Sequence, residues 1–275
     1  MLPQRPTPQR PVRIVAFIGA TGRNLIMLRG PLMQALKARG VSVFAIAPAF
    51  RSDEEATLEA MGIQRATFDM QPRGPRFAAD WQIIRALKEK LAALQPDAVV
   101  ASSGRVLVLG LAAAAKARVP RRVALVNALP SPSTAIAAAD LLGASERQIA
   151  GGLKHATAVV FHNRDHHKTM LGLKALSTAV PVTVVPGAGV DLAAFTPQPL
   201  PPLSPPSPGL TFLMVATLDS ARGVLDYCAA AAALKARAPH ARFLLAGPSG
   251  DGPTGLKPEA VRPYADAVTF LGPLT

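Results

Sequence analysis

The chain has 275 residues, enough for two α/β domains or one large one. Hydrophobic residues make up 49% and aromatic residues only 5%, so the core is expected to be aliphatic and alanine-rich, with too few rings for a base-stacking surface. The formal charge of +13 is read either as a mark of an anionic partner (nucleic acid, anionic lipid or a phosphate-rich substrate) or as coding bias in an Arg- and Ala-rich protein.

Met1 to Pro11 is basic and proline-rich, lacks the apolar centre of a secretory signal, and is expected to be disordered through residue 12. Arg13 to Ile18 reads as a buried strand ending in Gly19-Ala20-Thr21-Gly22. A helix follows, with Leu28, Leu32, Ala35 and Leu36 expected on its buried face and Gly40 closing it. Val41 to Ala47 is a second continuous apolar strand. Asp80 to Leu94 repeats the helical period through Trp81, Ile84, Leu87, Leu91 and Leu94. Ala98 to Ala101, Arg122 to Val126, Ala158 to Phe161 and Val182 to Val185 read as further strands separated by Ala-rich helices. This alternation predicts an α/β fold built on a doubly wound parallel sheet.

Composition shifts at Thr196 to Pro208, a proline-rich linker expected to be stiff and extended. The alternation then restarts with strands at Thr211 to Val215, Arg242 to Ala246 and Val268 to Leu271, and a helix over Ala221 to Arg237. The expected organisation is therefore residues 13–195 as one domain, 196–208 as linker, and 209–275 as a second, partial α/β domain whose sheet edge stands open. No apolar run is long enough for a transmembrane helix; Val106 to Ala115 comes nearest and is interrupted at Lys116 and Arg118. The single Cys228 fits a reducing compartment, and a cytoplasmic protein is expected.

Several chemistries find little support in the residues. The Gly19–Gly22 turn could bring backbone N–H groups to a phosphate, as in nicotinamide-cofactor sites. The third glycine of that fingerprint falls at Leu25, however, and no acidic residue follows the second strand, which ends Ala47-Pro48-Ala49. Arg51 keeps an NADP-type reading open, beside the reading that the glycines only make a tight turn. His155, His162, His166 and His167 lack the cysteine partners of a structural zinc site, and His166 and His167 read as solvated helix-start residues. Ser102-Ser103-Gly104 lacks the leading glycine of a nucleophile elbow. Neither a metal nor a cofactor is expected, and no nucleic-acid module is seen.

The segment Val184-Val185-Pro186-Gly187-Ala188-Gly189-Val190-Asp191-Leu192-Ala193-Ala194-Phe195 resembles the domain junction of family 4 glycosyltransferases. Phe212 to Leu218, with Arg222-Gly223-Val224, is similar to the stretch that opens that family's second domain. Ala241 to Pro248 and Val268 to Gly272 continue the likeness in the same order. In the first half, Leu28-Arg29-Gly30-Pro31-Leu32, Leu36 to Val43 and Phe161-His162-Asn163-Arg164-Asp165 resemble bacterial polyprenyl-diphosphate-linked sugar transferases of the family.

The resemblance covers about residues 13 to 275 and implies a GT-B fold: two Rossmann-like domains with the acceptor mainly on the first and the nucleotide-sugar mainly on the second. It implies a hexosyl or N-acetylhexosaminyl transferase of bacterial surface polysaccharide synthesis, using a UDP-sugar as substrate and a lipid-linked or glycan acceptor. Such an enzyme would work in the cytoplasm, with peripheral contact to the anionic inner face of the plasma membrane. Arg222 stands where the family has its phosphate-binding lysine, beside Gly223, and Thr217 stands where it has an arginine. These three are the expected donor-phosphate residues. Gly187, Gly189 and Asp191 are expected to shape the junction.

Gly19, Arg23, Asn24, Ser103, Arg105 and Asn127 are expected at the acceptor end of the strands, where each is also an ordinary turn or cap residue. The family's paired donor-site glutamates would fall past Thr275, so no catalytic residue is assigned. The expectation is of a C-terminally truncated sequence, with a non-catalytic homologue that binds acceptor or nucleotide as the alternative and an NAD(P)-binding oxidoreductase as the third reading.

Overall fold

The computed structural model describes residues 11–70, 76–102, 104–127, 129, 144–199, 209–251 and 254–274. The expected disordered terminus lies outside them as far as residue 10, as does the linker from residue 200 to 208. The described residues form two compact units, one ending at Phe195 and the other beginning at Thr196.

The first unit is built on a seven-stranded, all-parallel sheet of order β3-β2-β1-β4-β5-β6-β7. Its strands are β1 (Ile14–Ile18), β2 (Ser42–Ala47), β3 (Gln64–Thr67), β4 (Ala98–Ser102), β5 (Arg121–Val126), β6 (Ala158–Phe161) and β7 (Val182–Val184). Between them run α1 (Gly22–Ala38), α2 (Ser52–Ala60), α3 (Arg76–Leu94), α4 (Gly104–Lys116), α5 (Glu146–Leu153) and α6 (Arg164–Gly172). Side chains alternate across a strand, so β1 feeds two cores. Val15 and Phe17 pack with Leu25 and Met33 of α1 and Leu58 of α2. Ala16 and Ile18 pack on the other face with Ile83, Leu87 and Leu91 of α3 and the apolar stripe of α4. Both faces are therefore covered, which is why the central strands are unbroken apolar runs. Asp97 fixes the amino end of this sheet, its carboxylate accepting from the backbone N–H groups of Arg13 at 2.8 Å and Ile14 at 3.0 Å.

Helix α1 presents a different face from the one its leucines suggest, and α3 departs from expectation at one residue. On α1 the buried residues are Gly22, Leu25, Arg29, Gly30 and Met33, whereas Leu28 and Leu32 are exposed. On α3, Ala79, Ile83, Leu87 and Leu91 are buried while Trp81 is turned outward, with the Arg85 guanidinium 5.8 Å from its ring centroid. On α1 the buried stripe lies one position past the large leucines, whereas on α3 Leu87 and Leu91 are buried as expected, Ile84 and Leu94 pack against the same core, and only Trp81 departs.

The second unit carries a three-stranded parallel sheet of order β10-β9-β8, formed by β8 (Thr211–Val215), β9 (Arg242–Ala246) and β10 (Val268–Gly272). Its helix α7 (Val224–Lys235) lays Val224, Cys228 and Ala231 against Phe243 and Leu245. The helix expected from Ala221 is interrupted. A short 3-10 turn, Ser220–Arg222, is capped by Asp219, whose carboxylate accepts from the Ala221 N–H at 2.8 Å. Gly223 then adopts φ +75, a left-handed conformation that breaks the helix before it restarts as α7.

Candidate functional site

In the first unit the strand order reverses direction of growth between β1 and β4, and crevices for ligands form outside the carboxyl ends of strands at such a point. The expected acceptor-side residues follow those ends. Gly19 follows β1 and is buried, its N–H donating to the Ile46 carbonyl at 3.0 Å. Asn24 is exposed in the first turn of α1, and its N–H is taken by the Thr21 hydroxyl at 3.1 Å, which makes Thr21 the cap. Arg23 is exposed beside it and lines a groove of about 250 Å³ with Ile26, Met27 and Arg51. Ser103 lies outside the described residues.

Arg105 is buried in α4, and its guanidinium is paired with the Asp80 carboxylate of α3 at 2.5 Å. This ion pair offsets its charge within the helical layer. Beside it a groove of about 280 Å³ runs between α4 and α5.

Asn127, at the end of β5, holds a partner that sequence reasoning did not single out. Its side-chain oxygen accepts from Nη2 of Arg29, while Nη1 of the same guanidinium donates to the Leu28 carbonyl at 3.2 Å. Arg29 is only 4% exposed, and its Nε has no hydrogen-bond partner among the described residues. Burial pushes its pKa down. No carboxylate pairs with Arg29 among the described residues. His162, the first residue past β6, is half-buried, and burial followed by the Arg29 charge holds its imidazole below the ordinary 6.5. The signal in the sequence was the 25, 29, 33 spacing, which places Arg29 on the stripe of Leu25 and Met33.

The turn glycines after β1 are explained by close packing. A Cβ at Gly22 would lie 2.4 Å from the Phe50 ring and 2.5 Å from a Glu54 carboxylate oxygen, and one at Gly19 would lie 2.7 Å from the Leu25 side chain. Arg51, which had kept a phosphorylated nicotinamide cofactor in view, is bonded through Nε to Asp53 at 3.0 Å. The space beside Gly22 is thus filled by the chain's own side chains. His166 and His167, expected to be solvated, are both half-buried, the His166 Nδ1 shielded from solvent and the His167 ring centroid 5.3 Å from that of Phe161.

In the second unit, Thr217 follows β8 and is half-buried. Arg222 is exposed and makes no ion pair among the described residues. It immediately precedes Gly223, which stands at the N-cap of α7 and supplies no side-chain hydrogen bond to it. An uncapped helix start with an arginine next to it presents N–H donors, a dipole and a charge to an anion. In the junction segment, Gly187 and Gly189 have φ +73 and +84, and an added Cβ at either would meet nothing. The Asp191 carboxylate accepts from the N–H groups of Ala193 at 2.9 Å and Ala194 at 3.3 Å, closing the turn that ends at Phe195.

Among the described residues no helix is long and apolar enough to cross a membrane, and no group of three His, Cys, Asp or Glu stands together as a metal site. No protein-family model matches the sequence, and no curated protein matches it. Solved structures do match its fold. A glycosyltransferase from Rickettsia africae aligns with a TM-score of 0.65 at 15% identity, over 97% of this chain and 69% of that one. HepE of Anabaena, in complex with UDP and glucose, aligns at 0.64 and 16% identity over 96% of this chain and 70% of that one. A UDP-GlcNAc 2-epimerase from Neisseria meningitidis, bound to UDP-GlcNAc, aligns at 0.59 and 14% identity over 95% and 72%. The fold is thus the GT-B architecture, shared by glycosyltransferases and UDP-GlcNAc 2-epimerases, and no sequence match singles out family 4 within it.

Proposed function

We propose that the chain is a glycosyltransferase of the family 4 kind that uses a nucleotide-sugar, a UDP-sugar in the first instance. In this reading residues 13–195 take the acceptor and residues 209–275 contribute to the donor site. The acceptor is a lipid-linked diphosphate or a growing glycan of a bacterial surface polysaccharide, met at the cytoplasmic face of the membrane.

The observation that carries the reading is the start of α7. Exposed Arg222, left-handed Gly223 and an uncapped helix N-terminus sit together at the carboxyl side of a parallel sheet, in a chain with the GT-B fold. Departure of a nucleoside diphosphate needs positive charge and aligned dipoles at that place. Thr217 brings no charge, and this favours the second reading, a homologue that binds nucleotide or acceptor without transfer.

Calorimetric titration of the folded chain with UDP and UDP-N-acetylhexosamines tests the proposal, followed by transfer assays on polyprenyl-linked acceptors. Saturable binding with transfer supports it, and binding without transfer supports the second reading. Failure to bind these or other nucleotide-sugars removes the donor site altogether. Incubating the chain with UDP-GlcNAc alone and following the sugar ring by NMR separates transfer from epimerisation.

A further inference from the structure

A cation buried without a counter-charge is strongly destabilising, and buried charges are as a rule paired. Arg29 is such a cation. It is shielded from solvent, no carboxylate pairs with it among the described residues, and its Nε–H is unmatched. The guanidinium has five N–H donors, of which the Leu28 carbonyl and the Asn127 side-chain oxygen engage two groups.

The neighbours add donors and no charge of opposite sign. Because Asn127 turns its oxygen to Arg29, its amide NH2 is directed away and carries two further donors. His162 closes the group from β6. Its backbone N–H donates to the Val126 carbonyl at 3.2 Å, which sets it beside Asn127, and burial followed by the Arg29 charge disfavours protonation of its ring. Asn127 and His162 are both half-buried, so the cluster reaches solvent through them. Asn127 and His162 directly follow β5 and β6, and Arg29 reaches Asn127 from α1.

We propose that Arg29, Asn127 and His162 form an oxyanion site that takes a phosphoryl group of a diphosphate-bearing ligand. The donors belong to α1 and to the residues that follow two strands, and a phosphoryl group offers such a set several acceptor oxygens. The site stands on the unmatched guanidinium and does not depend on the chain being a transferase.

Long-range proton–nitrogen NMR of the imidazoles in the full chain tests it, with inorganic pyrophosphate and UDP titrated separately. The expected result is a saturable shift of the His162 ring, with pyrophosphate alone sufficient to produce it. A tighter response to UDP would assign the phosphoryl group to a nucleotide, and an equal or weaker one to a non-nucleotide diphosphate. Arg29→Met removes the charge and is expected to abolish the shift. Asn127→Asp guards against a variant that merely fails to fold, because it supplies Arg29 with an internal counter-charge. It is expected to raise the Tm while weakening pyrophosphate roughly tenfold or more. A His162 ring unmoved by both ligands in the unsubstituted chain, or an Asn127→Asp variant that binds pyrophosphate undiminished, overturns the proposal. UDP binding elsewhere without His162 moving would overturn this site and leave the donor site of the second unit intact.

Discussion

Arg29 and Asn127 stand 98 positions apart and meet at the carboxyl end of the sheet, the guanidinium donating to the side-chain oxygen. The contact ties α1 to the end of β5, and it is one of the few acceptors that the buried guanidinium has. Asn127→Ala removes that acceptor and leaves Nη2 unmatched, a loss of about 1.5–3 kcal/mol for a charged donor. Urea unfolding of the two proteins measures it. A difference below about 0.5 kcal/mol, the range of ordinary surface substitutions, would show that water replaces the bond.

The two imidazoles whose pKa values are depressed make stability depend on pH with a definite sign. Partial desolvation comes first for both, though His155 is the more exposed residue, joined by Arg29 at His162 and by Arg122 and Lys116 at His155. Below the ordinary value of 6.5 the unfolded chain takes up protons at these positions that the folded chain resists. Their contribution is therefore fully present above that pH and is lost as pH falls toward the folded values. The Tm is expected to drop between pH 7 and pH 5 more steeply than in a His155→Gln/His162→Gln double variant. Parallel curves would show that neither ring titrates differently on folding.

Glycines 22 and 40 separate steric need from conformational need. At Gly22 an alanine Cβ would strike the Phe50 ring at 2.4 Å, so the α1–α2 packing must shift. Overpacking of this kind costs about 1–3 kcal/mol. Gly40 has open space around it but φ +79, and an alanine there costs about 1–2 kcal/mol from the left-handed backbone alone. Comparing Gly40→Ala with Gly40→Asn by thermal melts distinguishes the causes, since asparagine tolerates that region better. Equal losses for the two would argue against a backbone origin.

The strands that the sequence makes plain are those buried on both faces. Residues 14–18, 43–47 and 98–101 are unbroken apolar runs because helices cover the sheet on either side. Gln64–Thr67 escaped notice because it is the edge strand β3, mostly exposed, and carries polar residues where an interior strand would carry valines. The neighbouring α2 buries little beyond Leu58 and Glu54, too few positions to show a period. The candidate site was legible as a place, since Gly19 and Asn127 follow strands at the expected end. Its central residue was not, because a periodicity argument assigns arginine to the solvent side. Arg29 instead occupies a slot between Leu25 and Met33 and displaces Leu28 and Leu32 outward.

The Asp80–Arg105 pair tests whether the α3–α4 layer depends on its ion pair. Arg105 is buried and Asp80 partly exposed, so removing the carboxylate leaves the charge where water reaches it poorly. Asp80→Asn keeps the shape and is expected to lose about 1.5–3 kcal/mol, the range for a hydrogen bond to a charged group. Raising the salt concentration should change the unsubstituted protein's stability little, because a pair with one partner buried is screened less than a surface pair. A strong salt dependence would place the pair effectively in solvent.

Arg222 is the residue on which the donor reading turns. It is exposed and precedes the left-handed Gly223, and α7 begins there without a side-chain cap. An alanine at this position removes no packed atoms, so the Tm should stay within the small range expected of surface substitutions. UDP affinity is expected to fall roughly tenfold or more, the loss of one charge-assisted contact to phosphate. Arg222→Lys keeps the charge but not the fork, and should retain part of the affinity. Calorimetry on the three proteins reads the result directly. If alanine and lysine bind UDP as well as arginine does, the helix terminus binds without this side chain or the nucleotide sits elsewhere, and the correspondence with the family's phosphate-binding lysine fails.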